Sequence, residues 1–140
     1  MDNNALGEQC VQNSMLVRTM YGYWPSFHDA QLVGLAIELT EFDGRNVADM
    51  NIRIRHKGQD SLQWVHPGPD CIVEFRCFDI SDANFVLNNF SAGGWVDELT
   101  IKSNSDGRIE FDLVPLAGID IKFKCSSIRV IAIHATSGSK

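Results

Sequence analysis

The chain has 140 residues, 44% of them hydrophobic and 21% charged, with 12 basic against 18 acidic side chains and a net charge of −6. That length suits one domain able to bury its own core, and that composition excludes a disordered or fibrous chain. The negative balance argues against a general nucleic-acid binder, which needs a basic field, and no apolar run approaches a bilayer span.

The opening MDNNALGEQC lacks the basic and apolar segments of a secretory signal, so a cytoplasmic protein is expected. One domain over 1–140 is expected, with 1–12 and 136–140 as flexible ends. NSMLVRTMY reads as a short helix over 13–21, with Asn13 or Ser14 as N-cap and Gly22 as its stop. Met15, Leu16, Thr19 and Met20 fall near helical spacing and are expected to pack inward.

YGYWPSFHDA follows at 21–30. Pro25 forces Trp24 into an extended conformation, which turns the chain out of the helix. Tyr21, Tyr23, Trp24 and Phe27 bring large apolar area to that turn. Trp24, Pro25, Phe27, His28 and Asp29 therefore read as a structural corner, with His28 a buried, satisfied imidazole. A His beside an Asp also invites an acid–base reading. Neighbours on an extended chain point to opposite faces, however, so His28 would need a distant carboxylate.

Beyond the corner the period becomes two. Val33, Leu35, Ile37 and Leu39 share one parity. Met50, Ile52, Ile54 and His56 alternate with Asn51, Arg53, Arg55 and Lys57, a half-buried strand. Asp43-Gly44 between them is a turn signal. HPGPD at 66–70 breaks the chain, and CIVEFRCF then puts Cys71, Val73, Phe75 and Cys77 on one face. Residues 79–95 fit either a helical turn followed by a strand or an irregular segment. ELTIKS, RIEFDLV, IDIKFKC and RVIAIHA alternate again, with turns at NSDG (104–107) and PLAG (115–118) and a bend or bulge at Ser126-Ser127. About seven strands with short connections imply an α+β fold, an N-terminal helix packed on a mainly antiparallel sheet. Alternation leaves open whether that sheet is curled or two-layered.

Little in the chain signals catalysis. Cys10, Cys71, Cys77 and Cys125 show no CxxC spacing. Cys71 and Cys77 on one strand would sit roughly 20 Å apart, too far to share a zinc ion or to bond. All four read as reduced and mostly buried. His28, His56, His66 and His134 form no HxH or HExxH pattern, so no metal and no cofactor is expected. SAGGW at 91–95 lacks the lysine of a phosphate loop.

Two charge features remain. Arg53, Arg55 and Lys57 share one strand face, read first as solvated and second as a nucleic-acid or small-ligand contact. Between Arg76 and Lys102 there is no basic residue. That window interleaves Asp79, Asp82, Asp97 and Glu98 with Phe78, Phe85, Phe90 and Trp95. Acids rimming an aromatic anchor suit a protein-binding surface, and Asp79, Asp82, Trp95, Asp97 and Glu98 are its candidates. Core aromatics with ordinary surface acids are the competing reading.

WPSFHDA, from Trp24 to Ala30, followed by an alternating strand resembles the immunity protein 50 family of bacterial polymorphic toxin systems. Members carry a W-P-[ST]-F-H-D-A-like stretch near the N-terminus. The specific match covers under a tenth of the chain; elsewhere only length and strand pattern agree. The resemblance implies a small, β-rich, cytoplasmic and non-catalytic protein that binds and neutralises a toxin. It does not name the toxin, and it implies no membrane and no direct nucleic-acid partner. The acidic balance suits a basic toxin such as a nuclease, and a homo-oligomer is compatible with it. Such proteins bind through surfaces that vary, so the motif need not be the interface. The alternatives are a small enzyme using His28 with a distant carboxylate, or a small-ligand or nucleic-acid module on the basic stripe.

Overall fold

A computed structural model describes residues 7–57, 69–87, 94–116 and 118–136. A short strand β1 (Val11–Gln12) leads into helix α1 (Ser14–Tyr21). Eight strands follow: β2 (Gln31–Phe42), β3 (Arg45–His56), β4 (Cys71–Phe78), β5 (Ser81–Leu87), β6 (Val96–Ser103), β7 (Ile109–Pro115), β8 (Ile119–Cys125) and β9 (Ser127–Ala135). The described chain is thus mostly β, with less helix than an α+β fold suggests.

The strands form two sheets, one ordered β1-β9-β4-β3-β2 and the other β5-β8-β7-β6. All pairings among β2 to β9 are antiparallel, and only β1 runs parallel to its partner β9. The buried phases fall where alternation puts them. Met50, Ile52, Ile54 and His56 on β3 and Cys71, Val73, Phe75 and Cys77 on β4 are buried. Phe111 and Leu113 of β7 and Ile121, Phe123 and Cys125 of β8 join them in one apolar cluster. Phe111 stacks on Phe123 with ring centroids 5.0 Å apart. The four cysteines are free, and Cys71, Cys77 and Cys125 are buried. The Cys125 thiol, and then burial, push the Cys77 thiol well above its ordinary value.

The chain passes between the sheets at two neighbouring points. Asp79 and Ile80 carry β4 into β5, and Ser126 alone carries β8 into β9. The Ser126 N–H donates to the Phe78 carbonyl at 2.8 Å, and the Ile80 N–H donates to Ala48 at 2.7 Å. Ser126 is therefore a switch between layers, a larger event than a bend within one strand. NSDG closes the β6–β7 hairpin, with the Gly107 N–H donating to the Asn104 carbonyl.

Three expectations are corrected. Residues 7–12 of the start read as flexible are held. Val11 is buried, β1 pairs with β9, and Glu8 binds the Arg18 guanidinium, with Nε 2.8 Å from the carboxylate. The helix turns a different face inward. Val17 and Tyr21 are buried, whereas Met15, Leu16 and Met20 are exposed. Asn13, Val17 and Tyr21 follow one another at i, i+4 and i+8, and the Asn13 amide donates to the β9 carbonyl of Val130 at 3.4 Å. The third concerns 79–95: of its two readings the strand is found, as β5 over residues 81–87, but no helical turn precedes it at 79–80. Residues 88–93, with Phe90, and 58–68, with His66, lie outside the described residues.

Candidate functional site

The corner splits into a buried and an exposed half. Trp24, Pro25, Phe27 and Ala30 are buried. Trp24 packs edge-on against Phe27 and Phe75, and Phe27 against Phe75 and His56. Tyr21 donates its hydroxyl to the His56 carbonyl at 2.7 Å, and burial pushes its phenol well up. This half is the plug between helix and sheet that the aromatic–proline cluster predicts.

His28 and Asp29 are exposed, so His28 is not the buried imidazole expected; His56 takes that place. Two left-handed residues, Phe27 (φ 64°) and Asp29 (φ 65°), turn the chain here and leave the pair outside. The turn is held by the start of β6. The Asp29 N–H donates to the Val96 carbonyl at 2.9 Å, and the Val96 N–H donates to Ala30 at 2.9 Å. The Leu32 N–H donates to Gly94 at 2.7 Å, and Gln31 bridges Trp95. Gly94 permits this approach: a Cβ there would lie 2.6 Å from the Leu32 carbonyl oxygen.

The two features that lie far apart in sequence therefore meet in space. The His28 Nδ1–H donates to the Asp97 carbonyl at 2.6 Å. Its ring also stands 3.8 Å from the Asp97 carboxylate and 3.7 Å from that of Asp29. Trp95, Asp97 and Glu98 are all exposed beside it. A register shift between Val96 and Glu98 lets Val96 stay buried while the two acids that follow it face solvent. The result is an exposed imidazole between the Asp29 and Asp97 carboxylates, with Trp95 and Glu98 exposed on the adjoining stretch of chain.

Asp79 and Asp82 are placed elsewhere. Asp79 sits at a crossing between sheets, 3.4 Å from Arg45 and 3.6 Å from Arg108, with its N–H on Asp49 at 2.9 Å. Asp82 is exposed on β5. β5 and β6 are opposite edges of their sheet, three strand spacings or roughly 14 Å apart. Of the basic stripe, Arg55 is held by Asp70 in two bonds of 2.9 and 2.6 Å, and the Arg53 guanidinium lies across Gly34.

Further acids escaped the sequence reading. Glu110, Asp112 and Asp120 share the outer face of the second sheet with the candidate Glu98 by register. Burial, and then its carboxylate neighbours against the opposing pull of Lys122, raises the Asp112 carboxyl. The polar phases of RIEFDLV and IDIKFKC held that signal.

The arrangement offers little to a substrate. The cleft beside the motif, between Trp24–Phe27 and Leu99–Ile101, holds about 20 Å³, little more than one water. The larger clefts described, near Phe42 and Phe78, along α1, and beside β1 at residues 9–12, are lined by residues other than His28. Among the described residues, no group of three or more His, Cys, Asp or Glu is arranged to hold a metal ion. Among them also, no helix is long and apolar enough to cross a membrane.

The immunity protein 50 family model matches residues 13–136, from the N-cap of α1 to just past β9. The chain belongs to the immunity protein 50 family. No curated protein and no solved structure matches it. In this immunity protein 50 member, the WPSFHDA stretch is both a core plug and, through His28 and Asp29, part of the surface around Trp95. Family membership points to a role in a toxin system, with a toxin as the general kind of partner.

Proposed function

We propose that this chain is a non-catalytic inhibitor that binds a cognate protein toxin and neutralises it in the cytoplasm. The family match over 13–136 carries this reading. The binding surface proposed is Trp95 with Asp97 and Glu98, extended by His28 and Asp29. Tryptophan is enriched among interface anchors, and a rim of carboxylates steers a cationic partner toward it. Asp82 stands on the far edge of the sheet and Asp79 is paired with two arginines, so the proposal rests on the β6 residues of the acidic window. The net charge of −6 suits a basic toxin such as a nuclease.

The experiment is co-purification with the product of the adjacent upstream gene, combined with rescue of its toxicity. A stable complex and restored growth are expected. Growth rescue without a complex would contradict inhibition by binding. The His28 acid–base reading has an exposed imidazole between two carboxylates in its favour, but no described cleft beside it to hold a substrate.

A further inference from the structure

The outer edge of the five-stranded sheet is β2, twelve residues long. Its first residues are occupied: Gln31 bridges Trp95, and the Leu32 N–H donates to Gly94. A register shift follows between Leu32 and Gly34. From Gly34 to Phe42 the strand is regular, and no described strand pairs with its outer side. Every second N–H and C=O there points away from β3.

Natural sheets protect such edges with charged side chains, lysine above all, with proline, a bulge or a covering element. Gly34–Phe42 reads GLAIELTEF and has no Lys, Arg or Pro, and its two charges are Glu38 and Glu41. It carries large apolar side chains in the open instead: Ile37 is 53% exposed, Leu39 78% and Phe42 67%. The edge is built to be paired.

The strand's own sequence selects the occupant. When a strand pairs antiparallel with a copy of itself, bonding and non-bonding positions alternate, so one residue must lie opposite itself. Centring on Glu38 would set Leu35 against Glu41 and bring the two Glu38 carboxylates, each already paired with its own Arg76, face to face. Centring on Leu39 would put Ile37 against Glu41 and Ala36 against Phe42. Centring on Ile37 sets Ile37 against itself, Leu35 against Leu39, and Ala36 against Glu38. That register keeps the apolar residues together and opposes no like charges. Glu38 is already neutralised by Arg76 at 2.6 Å.

We propose that this protein forms a twofold homodimer by antiparallel pairing of β2 with β2 of a second copy, centred on Ile37, joining two five-stranded sheets into one. In this register the pairing spans residues 34–40, because the partner's Phe42 would come opposite Leu32, whose outer side Gly94 already holds, and its end therefore borders the toxin-binding surface around Trp95. Each protomer carries a charge of −6, so added salt screens their repulsion and strengthens the dimer.

Analytical ultracentrifugation of the whole chain at rising protein concentration tests this. The expected mass is twice the 15.6 kDa of one chain. An Ile37→Lys/Leu39→Lys variant should return to a single-chain mass with an unchanged circular dichroism spectrum, since both positions are exposed. The register is read separately by mild oxidation. Opposed residues in an antiparallel pair lie about 4.5–5.5 Å apart, within disulfide reach. Ile37→Cys should give a cross-linked dimer, and Leu39→Cys and the wild-type chain should not. A single-chain mass at the highest concentration and salt overturns the proposal, and then the edge is left for a strand of another protein. A dimer that survives the double lysine variant, or Leu39→Cys cross-linking in place of Ile37→Cys, overturns it equally.

Discussion

At the scale of single residues, the glycines and aromatics of the corner carry distinct loads. Trp24 is buried against Phe27 and Phe75. Trp24→Ala should destabilise the protein by about 3 kcal/mol or more, the usual cost of emptying a large aromatic site. Its melting temperature reads this directly. Gly94 and Gly34 make a matched pair of tests. A methyl at Gly94 would strike the Leu32 carbonyl at 2.6 Å, and that backbone is fixed by its own hydrogen bond. Gly94→Ala should cost about 1–3 kcal/mol, as overpacking does. A methyl at Gly34 meets only the Arg53 guanidinium, the far end of a flexible side chain. Gly34→Ala should stay within about 1 kcal/mol of wild type, because Ala gains stability over Gly in a strand. Chemical denaturation of the two variants side by side checks the contrast. The burial of Trp24 and Phe27 was legible from Pro25 and the aromatic cluster around it. The exposure of His28 was not, because it follows from positive φ at Asp29, where Asp tolerates it, and at Phe27, where nothing in the sequence marks it.

At the scale of elements, alternation located β3, β4 and the strands from β6 onward, since each has one face buried and one wet. It marked β2 as a strand too, but parity says nothing of burial on that edge strand, which is exposed along most of its length on both faces, Ile37 and Leu39 included. It is weaker where one buried and one wet face are missing. Short β5 hides its strand among polar residues, with only Phe85 partly buried against the core. In the helix, four apolar or small positions suggested one face while the partner strand β9 takes another. The outer face of the second sheet yields a pH prediction. The Asp112 carboxyl is raised by burial and by Asp120, Glu110 and Glu98. A raised carboxyl means that folding disfavours its ionised form, so Asp112 lowers stability at neutral pH. Below its unfolded value both states are protonated and the cost disappears. Asp112→Asn should therefore raise the melting temperature at neutral pH. The gain should shrink as pH falls through the folded value toward the unfolded one. Thermal melts across that range test the sign.

At the scale of the whole molecule, two sheets cross-connected at Asp79–Ile80 and Ser126 bring the N-terminal corner onto the start of β6. That meeting is long-range: His28 and Asp97 are 69 positions apart in sequence. Sequence reading held the corner and the acidic window as rival sites because no local pattern encodes their contact. It also grouped Asp79 and Asp82 with Trp95 by proximity in the chain, whereas the fold sends them to other places. We propose that this immunity protein 50 member captures its toxin with Trp95, Asp97 and Glu98. Surface binding kinetics against the product of the adjacent upstream gene, at two salt concentrations, test it most directly. Trp95→Ala should weaken binding by about 2 kcal/mol or more, chiefly through faster dissociation. Asp97→Lys/Glu98→Lys should slow association, and that effect should shrink as salt rises. Wild-type affinity in both variants, with circular dichroism unchanged, would contradict the account and move the interface off this surface.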